Sequence, residues 1–140
     1  MAASAVLYDE VSLDGFGKVA VLTLKSPPVN ALGFDVRQGL QAGAQRIAGN
    51  KLIKAVIIRG HGDVFCAGAD ISEFSGKLRE PQLIDVIAQI DALEVPTIAA
   101  IHGAALGGGL ELALGCNYRI ALSTARVGLP EVQLGIIPGA

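Results

Sequence analysis

Ala105-Leu106-Gly107-Gly108-Gly109-Leu110-Glu111 is the stretch on which the reading of this chain turns. Three consecutive glycines open an apolar helical run, and one carboxylate stands just inside it. Glycine has no Cβ, so a substrate can approach its backbone closely. The first turn of a helix leaves its N–H groups without intrahelical acceptors. Those donors, with the positive end of the helix dipole, suit a developing negative charge. Gly108 and Glu111 are three residues apart and share a helix face. An N–H donor and a carboxylate then look into the same space, a pairing suited to oxyanion stabilisation beside proton transfer. Taken alone, Glu111 reads first as an acid complementing the helix dipole; its company elsewhere in the chain changes that.

Around this stretch the pattern alternates between strands and helices. Residues 19–24 form a β-branched apolar run that reads as a strand, ended by Ser26-Pro27-Pro28. Residues 34–47 carry apolar side chains at helical spacing, closed by Gly49-Asn50. Residues 55–58 suit a short buried strand, and Gly60-His61-Gly62-Asp63 a loop. Leu83, Val86, Ile87, Ile90 and Leu93 lie on one face of a second helix, stopped at Pro96. Residues 97–101 read as a strand, 107–117 as a helix, and 119–122 as another strand. Such alternation predicts an α/β domain with a largely parallel sheet and right-handed crossovers.

Two further segments carry chemistry. Phe65-Cys66-Ala67-Gly68-Ala69-Asp70-Ile71 is a small-residue loop able to expose backbone N–H groups, with Asp70 suited to cap a following turn. Val127-Gly128-Leu129-Pro130-Glu131-Val132 sets a second acid in apolar surroundings. Together with the triple glycine, and in this order, these segments resemble the crotonase family, the enoyl-CoA hydratases and isomerases. Pro-Glu-x-x-Leu-Gly-x-x-Pro-Gly-Ala at 130–140 belongs to the same likeness, which runs from about Val19 to Ala140. Pro27-Pro28-Val29-Asn30-Ala31 and residues 110–121 look like the hydratase part of multifunctional β-oxidation enzymes, in which a dehydrogenase part follows on the same chain.

The resemblance implies a crotonase-like spiral of ββα units. It further implies that residues 1–140 make the N-terminal core of one such domain, incomplete at its C-terminus, because the family continues beyond the motif at 135–140 into further helices. An apolar 132–137 segment is then expected to leave uncovered surface and to promote association. The implied reaction is hydration of a trans-2-enoyl-CoA thioester, with Δ3,Δ2-enoyl-CoA isomerisation as an alternative or second activity, and a non-catalytic binding module as a reading from another class. Carried over by the resemblance, Glu111 helps activate water and Glu131 protonates the α carbon. The N–H groups of Ala69 and Gly108 hold the thioester oxygen. Ala31, Ala67, Gly68, Asp70, Ile71 and Gly107 lie along the substrate and CoA. No metal or cofactor is implied for this segment, and NAD only if a dehydrogenase part follows. A peroxisomal setting, a fused dehydrogenase or a homo-oligomer are implied in the same way; cytoplasmic or bacterial origins stay open.

Composition narrows the field. The charge balance is 11 basic against 13 acidic residues and aromatics make up 4%, which counts against a nucleic-acid surface. Cys66 and Cys116 are too few for a disulfide scaffold and sit among apolar neighbours, as buried thiols do. The N-terminus lacks a charged start followed by a long apolar run, and no arginine precedes Arg37. Residues 97–116 mimic a membrane span, but their glycines and mid-run Glu111 favour a buried strand, a turn and a helix. His61 and His102 have no metal-like spacing and read as a loop histidine and a buried strand-end histidine. The chain lacks a Gly-x-Ser-x-Gly elbow, and Gly60-x-Gly62 is too short for a dinucleotide fingerprint.

Overall fold

The computed structural model describes residues 3–77 and 79–139. Its main sheet has five strands: β1 (Val6–Leu13), β2 (Gly17–Leu24), β3 (Ile53–Gly60), β4 (Thr97–Ile101) and β6 (Tyr118–Ala121), side by side in that order. β1 pairs antiparallel with β2, and every later pair is parallel. β5 (Ala104–Leu106) and β7 (Arg126–Gly128) pair in a second small sheet, extended by a bridge from Cys66 to Ala105. The helices are α1 (Phe34–Ala48), α2 (Leu83–Asp91) and α3 (Gly108–Leu114), with 3₁₀ turns at Ile71–Ser75 and Pro130–Leu134.

Three times the chain repeats one step: a strand in the main sheet, an extended segment in the small sheet, then a helical segment. β3, Cys66 and α2 make the first; β4, β5 and α3 the second; β6, β7 and the turn at Pro130–Leu134 the third. This is the expected α/β spiral of ββα units. The run at 97–116 resolves into β4, β5 and α3, and among the described residues no helix is long and apolar enough to cross a membrane.

β2 and β3 are central strands with covered faces, which is why they read as near-continuous apolar runs. α1 buries Val36, Leu40, Ala44 and Ile47, a helical stripe that packs with Leu22, Val56 and Ile58 in the core. Val86 and Ile90 of α2 are buried, with Leu83, Ile87 and Leu93 packed against the same core. β1 was not evident from the sequence: its burial is mixed and its charged residues interrupt any apolar run. It forms because its ladder to β2 satisfies an otherwise open edge. The helix expected over 107–117 is shorter, since the backbone leaves it at Gly115 to enter β6.

Apolar side chains remain exposed on β6 and the turn after it, among them Ile120, Val132 and Ile137, the last two at 80% and 85%. Patches of this kind favour self-association. We expect the sedimentation coefficient to rise with protein concentration; a monodisperse monomer across the range would count against this.

Candidate active site

A cavity of roughly 340 Å³ opens where three loops of the spiral meet. Its wall is made by residues 67–71, the start of α3, and the turn carrying Glu131. Ala67, Gly68, Ala69, Asp70, Ile71 and Gly107 line it, as do Gly108, Glu111 and Glu131. Ala31 is not among the lining residues of this cavity. Asn30 sits at φ 53° with its side chain buried, donating to the carbonyls of His61 (2.9 Å) and Val64 (3.0 Å). The turn so braced brings Leu32, one residue past Ala31, to the cavity.

The start of α3 explains the triple glycine. Gly107 has φ 53°, and a Cβ there would lie 2.8 Å from Glu131 Oε1. Only glycine allows both that backbone and that carboxylate so close. A Cβ on Gly108 would stand 3.7 Å from Glu111 Oε2 and 3.0 Å from Leu83. The two carboxylates therefore approach adjacent residues of one turn. Gly68 completes the contact, since a Cβ on Gly107 would lie 3.9 Å from its Cα.

Glu131 is buried, and its Oε2 has no hydrogen-bond partner among the described residues. A buried carboxyl oxygen is costly unless it has a partner, so this atom is left to exchange a hydrogen bond or a proton with whatever occupies the cavity. Glu111 is half-buried on α3. Among the described residues, neither the Ala69 N–H nor the Gly108 N–H donates to a backbone carbonyl. For Gly108 the reason is general: first-turn amides have no acceptor within their helix.

The far wall comes from Asp70, Ile71, Glu73, Phe74, Gln82, Leu83 and Ile84, of which Glu73, Phe74, Gln82 and Ile84 carried no assignment from the sequence. Asp70 caps the 3₁₀ turn, accepting from the Ser72 N–H at 3.0 Å and hydroxyl at 2.7 Å, and these bonds hold its carboxyl below its ordinary range. Phe74, Leu83 and Ile84 supply apolar surface. Arg37 is buried on the same lining and pairs with Glu73 at 2.8 Å. Its signal was available, since a charged residue falls on the apolar stripe of α1 between Val36 and Leu40.

Cys66 and Cys116 are buried, and loss of hydration pushes both thiols up to about 11. At pH 8 each is then thiolate on the order of one part in a thousand. An aromatic disulfide reagent is expected to leave both untouched until denaturant is added; rapid labelling of the folded protein would contradict this burial. His102 is half-buried rather than buried, because β4 ends at the molecular surface and its Nε2 meets the Gly62 carbonyl at 2.7 Å. Among the described residues no cluster of three or more His, Cys, Asp or Glu could hold a metal ion.

Residues 15–140 match the family described as Enoyl-CoA hydratase/isomerase. The peroxisomal bifunctional enzyme of Danio rerio is 52% identical over 122 residues, covering 87% of this chain and 17% of that protein. The protein named "Probable enoyl-CoA hydratase" in Bacillus subtilis (strain 168) is 45% identical, covering 86% of this chain and 50% of its own length. The crystal structure of an enoyl-CoA hydratase from Bacillus anthracis superposes with a TM-score of 0.84 at 35% identity, covering 97% of this chain and 54% of that one. The chain thus spans from under a fifth to about half of the length of these relatives.

Proposed function

The chain belongs to the enoyl-CoA hydratase/isomerase family, and on that footing we propose that it hydrates trans-2-enoyl-CoA thioesters to 3-hydroxyacyl-CoA in fatty acid β-oxidation. The observation that carries this reading is the convergence of two glutamates and two backbone N–H groups without backbone acceptors on one cavity. Hydration adds water across a double bond conjugated to the thioester carbonyl. Attack at the β carbon drives charge onto the thioester oxygen, where the N–H groups of Ala69 and Gly108 receive it. A fixed donor of this kind contributes about 3 kcal/mol of transition-state stabilisation. Glu111 takes a proton from the attacking water, and Glu131 delivers one to the α carbon. The buried, unpartnered Oε2 of Glu131 supports that second role.

Incubation with crotonyl-CoA tests the proposal directly. The absorbance of the conjugated thioester is expected to fall as 3-hydroxybutyryl-CoA forms; binding without turnover would leave the non-catalytic reading. A salt-dependent RNA shift would point the same way, and the near-neutral charge balance argues against one. The second reading, Δ3,Δ2-isomerisation, needs only one carboxylate to move a proton between carbons, and Glu131 fits it; the presence of Glu111 on the same cavity favours hydration.

The name of the Danio rerio relative supports a peroxisomal setting and a second activity beside this one; that the second is an NAD-using dehydrogenase rests on the family resemblance alone.

A further inference from the structure

We propose that Arg37 is a positioning residue that aims the Ala69 N–H, acting through the backbone of Leu32; this rests on the reading of Ala69 as an oxyanion donor. The Gly68 carbonyl and the Ala69 N–H belong to one peptide plane and point to opposite sides of it. Whatever holds that carbonyl therefore sets the direction of that N–H. The Leu32 N–H holds it, at 2.8 Å. Leu32 is in turn held by its own carbonyl, which accepts from Arg37 Nη1 at 2.7 Å.

Arg37 is built for this task. It is 5% exposed, and its guanidinium spends its donors on four fixed acceptors. Besides Leu32, they are the carbonyls of Pro81 (2.7 Å, from Nε) and Arg79 (3.0 Å, from Nη2), and Glu73 Oε2 (2.8 Å). Glu73 is fixed from its other oxygen, Oε1, by the Phe34 N–H at 2.6 Å, so it caps α1 from outside, where Gly33 offers no side chain. One planar cation thus ties the first turn of α1, the Leu32 peptide, Glu73 and the carbonyls of Arg79 and Pro81 into a single frame. A lysine, with a point charge on a flexible stem, cannot reproduce that fork. The second donor is aimed by the same device within α3: the Glu111 N–H holds the Gly107 carbonyl at 3.0 Å, and Gly108 supplies the N–H of that peptide.

The test uses the intact protein and an isotope-labelled α,β-unsaturated CoA thioester, whose infrared carbonyl band shifts down when the oxygen accepts hydrogen bonds. Arg37→Lys is expected to return part of that shift and to lower kcat about 10-fold, below the 10²–10³ of losing a donor outright, with KM changed much less. Arg37→Met is expected to do the same more strongly, and Arg37→Lys keeps the test available if it does not fold. Gly76→Ala, with nothing within 4 Å of its Cβ position, is the control and is expected to keep the band in place. Folded Arg37 variants with a lower Tm but an unchanged band and kcat overturn the proposal and leave Ala69 as a donor. An unsubstituted protein that turns over substrate with no band shift removes the oxyanion reading and this proposal with it.

Discussion

Glu131→Gln is expected to depress hydration and isomerisation alike, each by at least the ~10²-fold typical of lost general acid–base help. The substitution keeps the side chain's size and its place beside Gly107 but removes the group that carries the α-carbon proton in either reaction. Glu111→Gln is expected to lower hydration by a similar factor while isomerisation falls much less, since only hydration needs an activated water. Paired assays on crotonyl-CoA and a 3-enoyl-CoA, with circular dichroism to verify folding, read both effects. Equal losses of the two activities in the Glu111 variant would show that the proposed division of labour is wrong.

Gly109→Ala is expected to be the most damaging single-methyl change near the cavity. A Cβ at Gly109 would lie 2.3 Å from the Cys66 carbonyl oxygen and 2.9 Å from its carbonyl carbon. Those are backbone atoms, held by ladder bonds: Cys66 N–H to the Ala104 carbonyl and Leu106 N–H to the Cys66 carbonyl, both at 3.0 Å. Neither side can yield without moving α3 off the small sheet. Overpacking against such a partner costs about 3 kcal/mol, or roughly 10 °C in Tm for a domain of this size. Because α3 carries both Gly108 and Glu111, kcat is expected to fall with it. Gly76→Ala is the control: nothing lies within 4 Å of its Cβ position, and its Tm is expected to stay near that of the parent. Equal Tm values for the two variants would refute the close-approach argument.

The readings that succeeded share one property: their physics is local. The apolar stripe of α1, the stripe of α2, and the covered strands β2, β3 and β4 follow from spacing over a few residues. The elements that escaped notice are those whose stability comes from a partner elsewhere. β1 needs β2, and β5 and β7 are three-residue strands held by pairing with each other and, for β5, with Cys66. No window of sequence that short carries a period.

The site divides along the same line. By itself the sequence determined which backbone positions must lack a side chain and which segments carry acids, since glycine runs and isolated carboxylates are legible one residue at a time. Only the tertiary structure decided that Leu32 lines the cavity, and that Glu73, Phe74, Gln82 and Ile84 join its far wall. It alone showed that Arg37 braces Leu32, and that Glu73 caps a helix begun 39 residues earlier. Hydrogen-bond acceptors and packing partners separated by that much chain are chosen by where the spiral returns, and a linear pattern holds no record of that distance.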